Sequence, residues 1–287
     1  GCGKSMTALS ILNLIPSPPG KITGGKVLFK DQNLLDLNEA QMSKLRGREI
    51  AMIFQEPMTS LNPVLTVGYQ ISEVLRKHLK LSKKLATEKT VELLELVQIP
   101  EAARRSRQFP HQLSGGMRQR VMIAMALSCE PKLLIADEPT TALDVTIQAQ
   151  VLELIEQLKN KLQTAVMLIT HDLGVIAENA DRVIVMYAGK KIEEGSVELV
   201  FSDPLHPYTR GLLRSVPNIQ SSLGHGAASR LEEIPGTVPP LGQIPVGCSF
   251  APRCELASSK CHNLAPTLSE AKNEHLVACW HQKETSD

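Results

Sequence analysis

The chain has 287 residues and a nearly balanced charge, with 31 Lys and Arg against 30 Asp and Glu. Hydrophobic residues make up 43% of the sequence, which is enough for an ordinary core and excludes wholesale disorder. The balanced charge argues against a surface dedicated to nucleic acid, since such domains are usually strongly basic. No apolar run approaches the ~18 residues of a membrane-spanning helix. We therefore expect a cytosolic protein that could reach a membrane only through a partner.

Proline and cysteine are unevenly distributed along the chain. Nine of the 18 prolines lie between Pro204 and Pro266, and four of the six cysteines lie between Cys248 and Cys279. This shift predicts a main body that ends near residue 203, a connecting stretch, and a small cysteine-bearing tail.

The chain opens with Gly1-Cys2-Gly3-Lys4-Ser5, followed by apolar residues at helical spacing. These residues match the second half of a P-loop, in which backbone amides and a helix N-terminus bind phosphate oxygens. Lys4 would bridge the β- and γ-phosphates, and the Ser5 hydroxyl would ligate Mg²⁺. Alone, so short a motif is equally consistent with a simple Gly/Ser turn. The first glycine of the loop would precede residue 1, so we expect an N-terminal truncation that weakens nucleotide binding and removes part of the sheet.

The main body alternates short apolar runs with amphipathic patterns, which predicts βαβ units around a parallel sheet. Four runs lack period-2 alternation and are predicted to be strands buried on both faces: Ile50–Phe54, Leu133–Ala136, Ala165–Ile169 and Val183–Met186. The stretch between Ile147 and Leu162 has the spacing of a helix with one apolar face. Residues 61–109 show helical patterns at about 66–79 and 85–98 without a strand, which predicts a helical insertion.

An acidic motif follows the second apolar run, in the sequence Lys-Leu-Leu-Ile-Ala-Asp-Glu that ends at Glu138. A buried strand that ends in Asp137 has the form of a Walker B motif, whose carboxylate helps to hold Mg²⁺. Glu138 comes next and could polarise an attacking water as a general base. The alternative is a strand end with two solvated acids, which the upstream P-loop makes less favoured.

A second glycine-rich motif, Leu-Ser-Gly-Gly-Met-Arg-Gln at 113–119, overlaps the start of a helix predicted at Arg118–Cys129. Ser114 and the glycines could form only a helix cap and a tight turn. They could equally form a second anion-binding helix N-terminus. Two phosphate-binding features in one domain suggest a nucleotide held between two subunits.

In this order, and with His171 following the third apolar run, these motifs resemble the ATPase domain of ABC transporters over residues 1 to about 200. The segment Gln55–Pro63 (QEPMTSLNP) and the segment His206–Arg210 (HPYTR), followed by the cysteine-bearing tail, resemble the ATP-binding subunits of dipeptide and oligopeptide importers. The resemblance implies an α/β P-loop NTPase fold with a mainly parallel sheet. It also implies an ATPase domain over 1–203, a helical subdomain at about 57–130, and a C-terminal extension over 204–287.

The resemblance also implies a role for each motif residue. Glu138 would activate the water, His171 would contact the γ-phosphate, and Gln55 would sense Mg²⁺ and the water, so these three are the candidate catalytic residues. Mg²⁺ would be held by Ser5 and Asp137. The other nucleotide contacts would come from the P-loop residues Gly1, Cys2, Gly3, Lys4, Ser5 and Met6, and, across a dimer interface, from Ser114, Gly115, Gly116 and Asp144. Cys2 replaces the serine of many members at a backbone-donor position, so we expect little effect of its side chain.

The implied function is ATP hydrolysis that powers uptake of dipeptides or oligopeptides at the cytoplasmic face of the cell membrane. The implied partners are a second ATPase subunit (the same or a related chain), two transmembrane permeases and, indirectly, a solute-binding protein. Importers of nickel or other small solutes share these motifs and stay open as an alternative. A non-transport ABC ATPase that acts on nucleic acid is less favoured, because no basic extension accompanies the balanced charge.

The tail cysteines are spaced irregularly, at Cys248, Cys254, Cys261 and Cys279. Disulfides are not expected in a cytosolic chain, and the paired C-x₂-C spacing typical of zinc sites is missing. Four thiolates could hold a [4Fe–4S] cluster, as tails resembling this one do in some peptide-importer ATPases. The alternative is that the cysteines are reduced and pack as small hydrophobic residues.

Overall fold

The computed structural model describes residues 2–55, 60–141, 143–215 and 233–282. The chain divides into two compact units. The first unit, here the catalytic unit, is Ser5–His171. The second, here the tail unit, combines Gly1–Lys4 with Asp172–Asp287. Both strands and helices occur in each unit.

The catalytic unit contains a short hairpin of β1 (Leu28–Phe29) and β2 (Gln32–Asn33), and a three-stranded parallel sheet. The parallel sheet consists of β3 (Ile50–Ile53), β4 (Leu133–Asp137) and β5 (Ala165–Ile169), with β4 in the centre. Three of the four apolar runs are therefore confirmed as strands, although β5 is only partly buried and its first residue, Ala165, is exposed. Since parallel strands point the same way, the residues that follow β3, β4 and β5 emerge at one edge of the sheet.

Seven α-helices of the catalytic unit are described, and most begin at a side-chain cap. Thr66, Ser82, Ser114 and Asp144 each accept a hydrogen bond from the backbone amide three residues later. Val67–Leu79 and Lys83–Leu96 confirm the two helices predicted for the insertion. The helices are Lys4–Ile11, Glu39–Leu45, Val67–Leu79, Lys83–Leu96, Ala102–Arg105, Gly115–Leu127 and Val145–Leu162.

The start of Gly115–Leu127 differs from the prediction of Arg118–Cys129. Both glycines of the motif lie inside the helix, not in a turn ahead of it. Ser114 caps the helix by accepting from the amide of Met117 at 3.3 Å. A good cap contributes about 1 kcal/mol, which offsets the poor helix propensity of one glycine.

Side chains on the two faces of the parallel sheet pack into separate cores. Leu134 and Ala136 of β4 lie in the larger core with the helices of the insertion, including Ile71 and Leu94. The intervening Ile135 lies in the second core, with Ala8 and Leu12 at the helix that follows the P-loop. The predicted burial on both faces is therefore confirmed for this strand. Burial of an isoleucine or leucine side chain stabilises the folded state by about 1.5–3 kcal/mol.

The tail unit contains an antiparallel sheet of β6 (Arg182–Tyr187), β7 (Lys190–Ser196), β8 (Ser269–Lys272) and β9 (His275–Val277), in the order β6-β7-β9-β8. The prediction that Val183–Met186 is a strand of the parallel sheet is wrong. This run forms the first arm of a hairpin with β7, and the turn at Ala188 and Gly189 has positive φ at both residues. Such turns join antiparallel strands and cannot join parallel ones.

The tail unit also contains short helices around its sheet. Those described are the α-helices Leu173–Asn179, Val197–Ser202, Pro207–Arg214 and Ser259–Asn263, and the 3₁₀ turns Leu241–Gln243 and Ala251–Arg253. The core of the unit is aromatic and contains Tyr187 and Phe250. The β7–β9 pairing joins strands from both sides of residue 203, where the sequence places a domain boundary. That boundary and the helical subdomain stay predictions.

Candidate functional site

The P-loop serine and the Walker B aspartate meet in the catalytic unit. The Ser5 hydroxyl donates to a carboxylate oxygen of Asp137 at 3.1 Å, although 132 positions separate the two residues. Ser5 lies in the first turn of the helix Lys4–Ile11, and Asp137 is the buried last residue of β4. Hydroxyl and carboxylate oxygens are the ligands that Mg²⁺ prefers. The donor set therefore fits the predicted magnesium site.

Glu138 lies at the centre of a polar cluster at the same edge of the sheet. One carboxylate oxygen accepts from the Gln55 amide at 3.1 Å and from the Thr141 hydroxyl at 3.0 Å. The other lies 3.3 Å from Nδ1 of His171. The side chain of Glu138 is 16% exposed and that of His171 is 74% exposed. The cluster thus pairs a partly shielded carboxylate with an accessible imidazole, an arrangement suited to acid–base chemistry on a ligand at the surface.

The backbone at Glu138 places this carboxylate. Its φ is +46°, in the left-handed region that residues with a Cβ rarely adopt. The amide of Glu138 donates to the carbonyl of Ile169 in β5 at 2.8 Å, which anchors the bend to the neighbouring strand. Such a conformation costs of order 1 kcal/mol and is typical of functional sites.

The Ser114–Gly116 segment lies against the loop that contains Asp144. A Cβ added to Gly116 would lie 2.9 Å from Cγ2 of Ile147, and one added to Gly115 would lie 3.6 Å from a Leu143 methyl. Asp144 accepts from the amide of Ile147 at 3.0 Å and so caps the next helix. Ser114, Gly115 and Asp144 are exposed. The structure therefore brings two helix N-termini together on one accessible surface.

The remaining predicted P-loop residues lie in the tail unit or at the start of the helix. Gly3 has a φ of +89°, as expected where only glycine fits, and Lys4 begins the helix. The carbonyl of Cys2 accepts from the amide of Gly189 at 3.1 Å. Met6 is exposed. Gly1 lies outside the described residues, as does Glu56–Thr59 of the segment Gln55–Pro63.

Sequence reasoning missed two residues that support the site. Thr141 donates to Glu138, but the sequence assigned no role to it. Arg46 donates to the carbonyls of Leu12 at 2.8 Å and Asn13 at 3.1 Å, and pairs with Glu39. Its guanidinium thus caps the C-terminal end of the helix that begins at the P-loop. No local pattern signals such a contact, since it joins positions that are far apart in the chain.

The four tail cysteines line one small cavity in the tail unit, together with His206 and Trp280. Burial raises the pKa of the Cys248 and Cys254 thiols, and it raises that of Cys279 to about 11. Within the described residues, no group of three or more His, Cys, Asp or Glu side chains has the arrangement of a metal site. The structure therefore brings the four cysteines of the predicted tail to one cavity, where burial favours the protonated thiols of Cys248, Cys254 and Cys279.

Comparison with known proteins identifies the family. A model of the ABC transporter family matches residues 1–141, and a model of the oligopeptide/dipeptide transporter C-terminal region matches residues 192–261. A probable peptide ABC transporter ATP-binding protein of Sinorhizobium fredii is 58% identical over 284 residues, which cover 99% of this chain and 84% of that protein. The oligopeptide transport ATP-binding protein AppD of Bacillus subtilis is 54% identical, over 99% of this chain and 85% of that protein. The chain belongs to the ATP-binding proteins of peptide ABC transporters.

Solved structures of ABC ATPases share the fold. A dimeric ATP-binding cassette in a post-hydrolysis state, bound to ADP and phosphate, has a TM-score of 0.58 and 29% identity. The match covers 69% of this chain and 82% of that one. The predicted family, fold class and ATPase activity are confirmed. As an ABC transporter ATPase, the protein binds ATP with Mg²⁺ and couples its hydrolysis to transport. None of its described helices has the length and apolar character needed to cross a bilayer.

Proposed function

We propose that this ABC ATPase powers a membrane importer of dipeptides or oligopeptides, and that Glu138 is its general base. The observation that carries the catalytic assignment is the contact of Glu138 with Gln55, Thr141 and His171, one residue beyond the Ser5–Asp137 pair. The substrate class is supported by the tail-region match and by relatives that are 50–58% identical and are named for peptide, oligopeptide or dipeptide transport. These relatives lend no comparable support to nickel or another small solute.

The chemistry follows from the positions of the side chains. The amides at the start of Lys4–Ile11 and the Lys4 ammonium bind the ATP phosphates, because a helix N-terminus and a cation both favour negative charge. Ser5 and Asp137 would hold Mg²⁺, which neutralises phosphate charge when bound. Phosphoryl transfer needs little covalent help from the protein, so positioning and charge dominate.

Water activation falls to Glu138 in this proposal. Gln55 and Thr141 both donate to the same carboxylate oxygen, which fixes the orientation of the carboxylate. The other oxygen faces the His171 imidazole and is the candidate acceptor for the proton of the attacking water. His171 is exposed enough to contact the γ-phosphate at the same time. The two side chains would thus hold the water and the phosphate in line.

A second ATPase subunit would complete the site. Ser114, Gly115, Gly116 and Asp144 are proposed to contact ATP bound to the opposing subunit, which is either the same or a related chain. Their support is the exposed pair of helix N-termini formed where Gly116 packs on Ile147. ATP-driven closure of the pair would move two transmembrane permeases, with a solute-binding protein upstream. We place the subunit at the cytoplasmic face of the membrane.

The catalytic assignment is tested with Glu138→Gln in the assembled transporter. Hydrolysis should fall at least ~100-fold, as expected for loss of a general base, while ATP binding is retained. Glu130→Gln is the matched control, because Glu130 is an exposed glutamate with a similar φ of +51° outside the cluster. Lys4→Ala should instead weaken ATP binding itself. Hydrolysis by Glu138→Gln at the wild-type rate would rule out the assignment.

The substrate class is tested separately from the chemistry. With its permeases and solute-binding protein reconstituted in liposomes, the wild-type ATPase should be stimulated by di- or oligopeptides and not by Ni²⁺. Stimulation by Ni²⁺ alone would overturn the proposed substrate. The Glu138→Gln transporter should show no stimulation by either compound, which controls for contaminating ATPases.

A [4Fe–4S] cluster on the tail is a separate proposal. All four thiols line one cavity, which favours it. The arrangement of these four described cysteines does not fit a metal, so binding would require the thiols to lose their protons and move closer together. No step of ATP hydrolysis passes through this group. Protein purified without oxygen should contain about four iron atoms per chain and a broad visible absorbance. Colourless, iron-free protein would remove the proposal.

A further inference from the structure

The side chain of Arg120 connects three helices of the catalytic unit, and no part of the proposed mechanism uses it. Arg120 lies on the helix Gly115–Leu127, directly after the second glycine-rich motif. One terminal nitrogen of its guanidinium donates to the carbonyl of Val97 at 2.9 Å and to the side-chain oxygen of Gln98 at 3.1 Å. The other terminal nitrogen donates to the side-chain oxygen of Gln150 at 3.2 Å. The planar fork of an arginine can donate in several directions at once, which a single amine cannot do with the same fixed geometry.

The contact at Val97 holds the end of a helix of the insertion. Val97 is the C-cap of the helix Lys83–Leu96, and Gln98, with a φ of +59°, then turns the chain away from the helix. The carbonyls at the end of a helix lack partners within it and bear partial negative charge, so a guanidinium is a favourable donor to them. Arg120 therefore fixes the helix Gly115–Leu127 against the end of its neighbour.

The contact at Gln150 extends the packing of the helix Val145–Leu162 on the helix of Arg120. Arg120 follows Gly116 by four residues, which places both on one face of their helix. Gln150 follows Ile147 by three residues, which places these two on one face of the other helix. The helices are therefore in contact at two successive turns, first where Gly116 packs on Ile147 and then at the hydrogen bond. Two contacts one turn apart fix both the separation of the helices and the angle between them.

These two helices carry the residues that are proposed to meet the opposing subunit. One helix begins at the Ser114 cap and the other at the Asp144 cap. The loop before Asp144 is held by the helix that follows it, because the Gln148 amide donates to the carbonyls of Leu143 at 3.1 Å and Thr140 at 3.3 Å. Asp144 therefore belongs to the same rigid piece as its helix, and the contacts between the two helices set its position relative to Ser114.

We infer that Arg120 is a positioning residue for the dimer interface, which holds Ser114 and Asp144 in the mutual orientation that contacts ATP on the opposing subunit. The inference rests on the proposed role of these two motif segments. The effect would operate on hydrolysis, because in this proposal hydrolysis requires the closed pair of subunits. ATP binding by the single chain should be unaffected, since the three acceptors of Arg120 lie outside the P-loop.

The test is Arg120→Lys, which keeps the charge and replaces the fork with a single nitrogen. The kcat for ATP hydrolysis by the assembled transporter should fall about three- to tenfold, the range for loss of one hydrogen bond. The rate is expressed per bound Mg-ATP, so that unfolded chains do not contribute to the loss. The Kd of the full chain for Mg-ATP should not change. Arg104→Lys is the matched control, because Arg104 is an exposed arginine that donates to Glu101, three residues away in its own segment.

Variants of Gln150 test the same contact from its other side. Gln150→Leu removes the acceptor and should also lower the kcat, whereas Gln150→Glu supplies a charged acceptor at the same place and should keep the wild-type rate. The combined effect of Arg120→Lys and Gln150→Leu should be smaller than the sum of the two, since they share one interaction.

Three results would each overturn the inference: an unchanged kcat in Arg120→Lys, an equal loss in Arg104→Lys, or full additivity with Gln150→Leu. Failure of the proposed function gives a different result. If Ser114→Arg, which places a bulky side chain at the start of the helix, left hydrolysis by the assembled transporter unchanged, the proposed role of the Ser114 segment itself would fail.

Discussion

His206 provides a test of the tail unit in which the expected magnitude follows from the structure. The side chain is 1% exposed, and burial lowers its pKa from the ordinary 6.5 to about 3. The folded state therefore contains a neutral imidazole over most of the acid range, while the unfolded chain takes up a proton near pH 6.5. Because the pKa is lowered by folding, the stabilisation is fully present above pH 6.5 and is lost as the pH falls toward 3.

Each pH unit below 6.5 costs up to about 1.4 kcal/mol of unfolding free energy for this one group. Between about pH 7.5 and pH 4.5 the loss from His206 should reach about 3 kcal/mol. The same unit contains other titratable groups, including the buried pair formed by Glu193 and His275 at 2.8 Å. A comparison with a variant that keeps those groups isolates the contribution of His206.

His206→Asn is the suitable variant, because asparagine can accept the Tyr208 amide hydrogen bond at the helix cap but does not titrate. Urea unfolding followed by the fluorescence of Trp280 reports on the correct unit, since this is the one tryptophan of the sequence. The difference in unfolding free energy between the two proteins should change by about 3 kcal/mol over the range, with the wild type losing more. Parallel pH profiles would refute the assignment of a buried neutral histidine.

Two further predictions concern the catalytic unit. Gly116→Ala places a methyl group 2.9 Å from Cγ2 of Ile147 and should lower the rate of ATP hydrolysis. Gly115→Ala is the control, because its methyl group would lie at an ordinary 3.6 Å from Leu143 and should disturb the packing much less. The hydrolysis rates of the two assembled transporters test this prediction, and equal losses would contradict it. Arg46→Met removes charged donors from two carbonyls at the end of the P-loop helix and should lower the unfolding free energy by about 2 kcal/mol. Urea denaturation measures this change in unfolding free energy, and Glu39→Gln is the control for loss of the ion pair alone. Equal stability of Arg46→Met and the wild type would contradict the prediction.

The apolar runs in the sequence predicted the strands of the parallel sheet, because a strand that is buried on both faces needs consecutive apolar residues. Leu134 and Ile135 face different cores, and a run without polar residues is the only composition that serves both. The same apolar composition gave a wrong prediction at Val183–Met186, which is a strand of the antiparallel sheet. There the partner strand Lys190–Ser196 carries charges, and pairing between two segments is not encoded in either segment alone.

The location of part of the candidate site could also be predicted from the positions of the strands in the sequence. Gln55, Glu138 and His171 each follow a strand of the parallel sheet, so strand order alone places them at one edge. Arg46 follows no such rule, because its partners lie at the end of a helix that is distant in the sequence.

The bend at Glu138 explains how two successive acids can take different roles. In a regular strand, Asp137 and Glu138 would point to opposite faces of the sheet, and one would be lost to the core. Asp137, the last residue of β4, faces Ser5, and the positive φ at Glu138 then ends the alternation, so that Glu138 reaches Gln55 and His171 at the edge. The strain costs of order 1 kcal/mol, and the hydrogen bonds from Gln55 and Thr141, of about 1 kcal/mol each, can offset it. The proposed division of roles, with Mg²⁺ binding at Asp137 and water activation at Glu138, would therefore depend on this backbone bend and on the side chains that hold it.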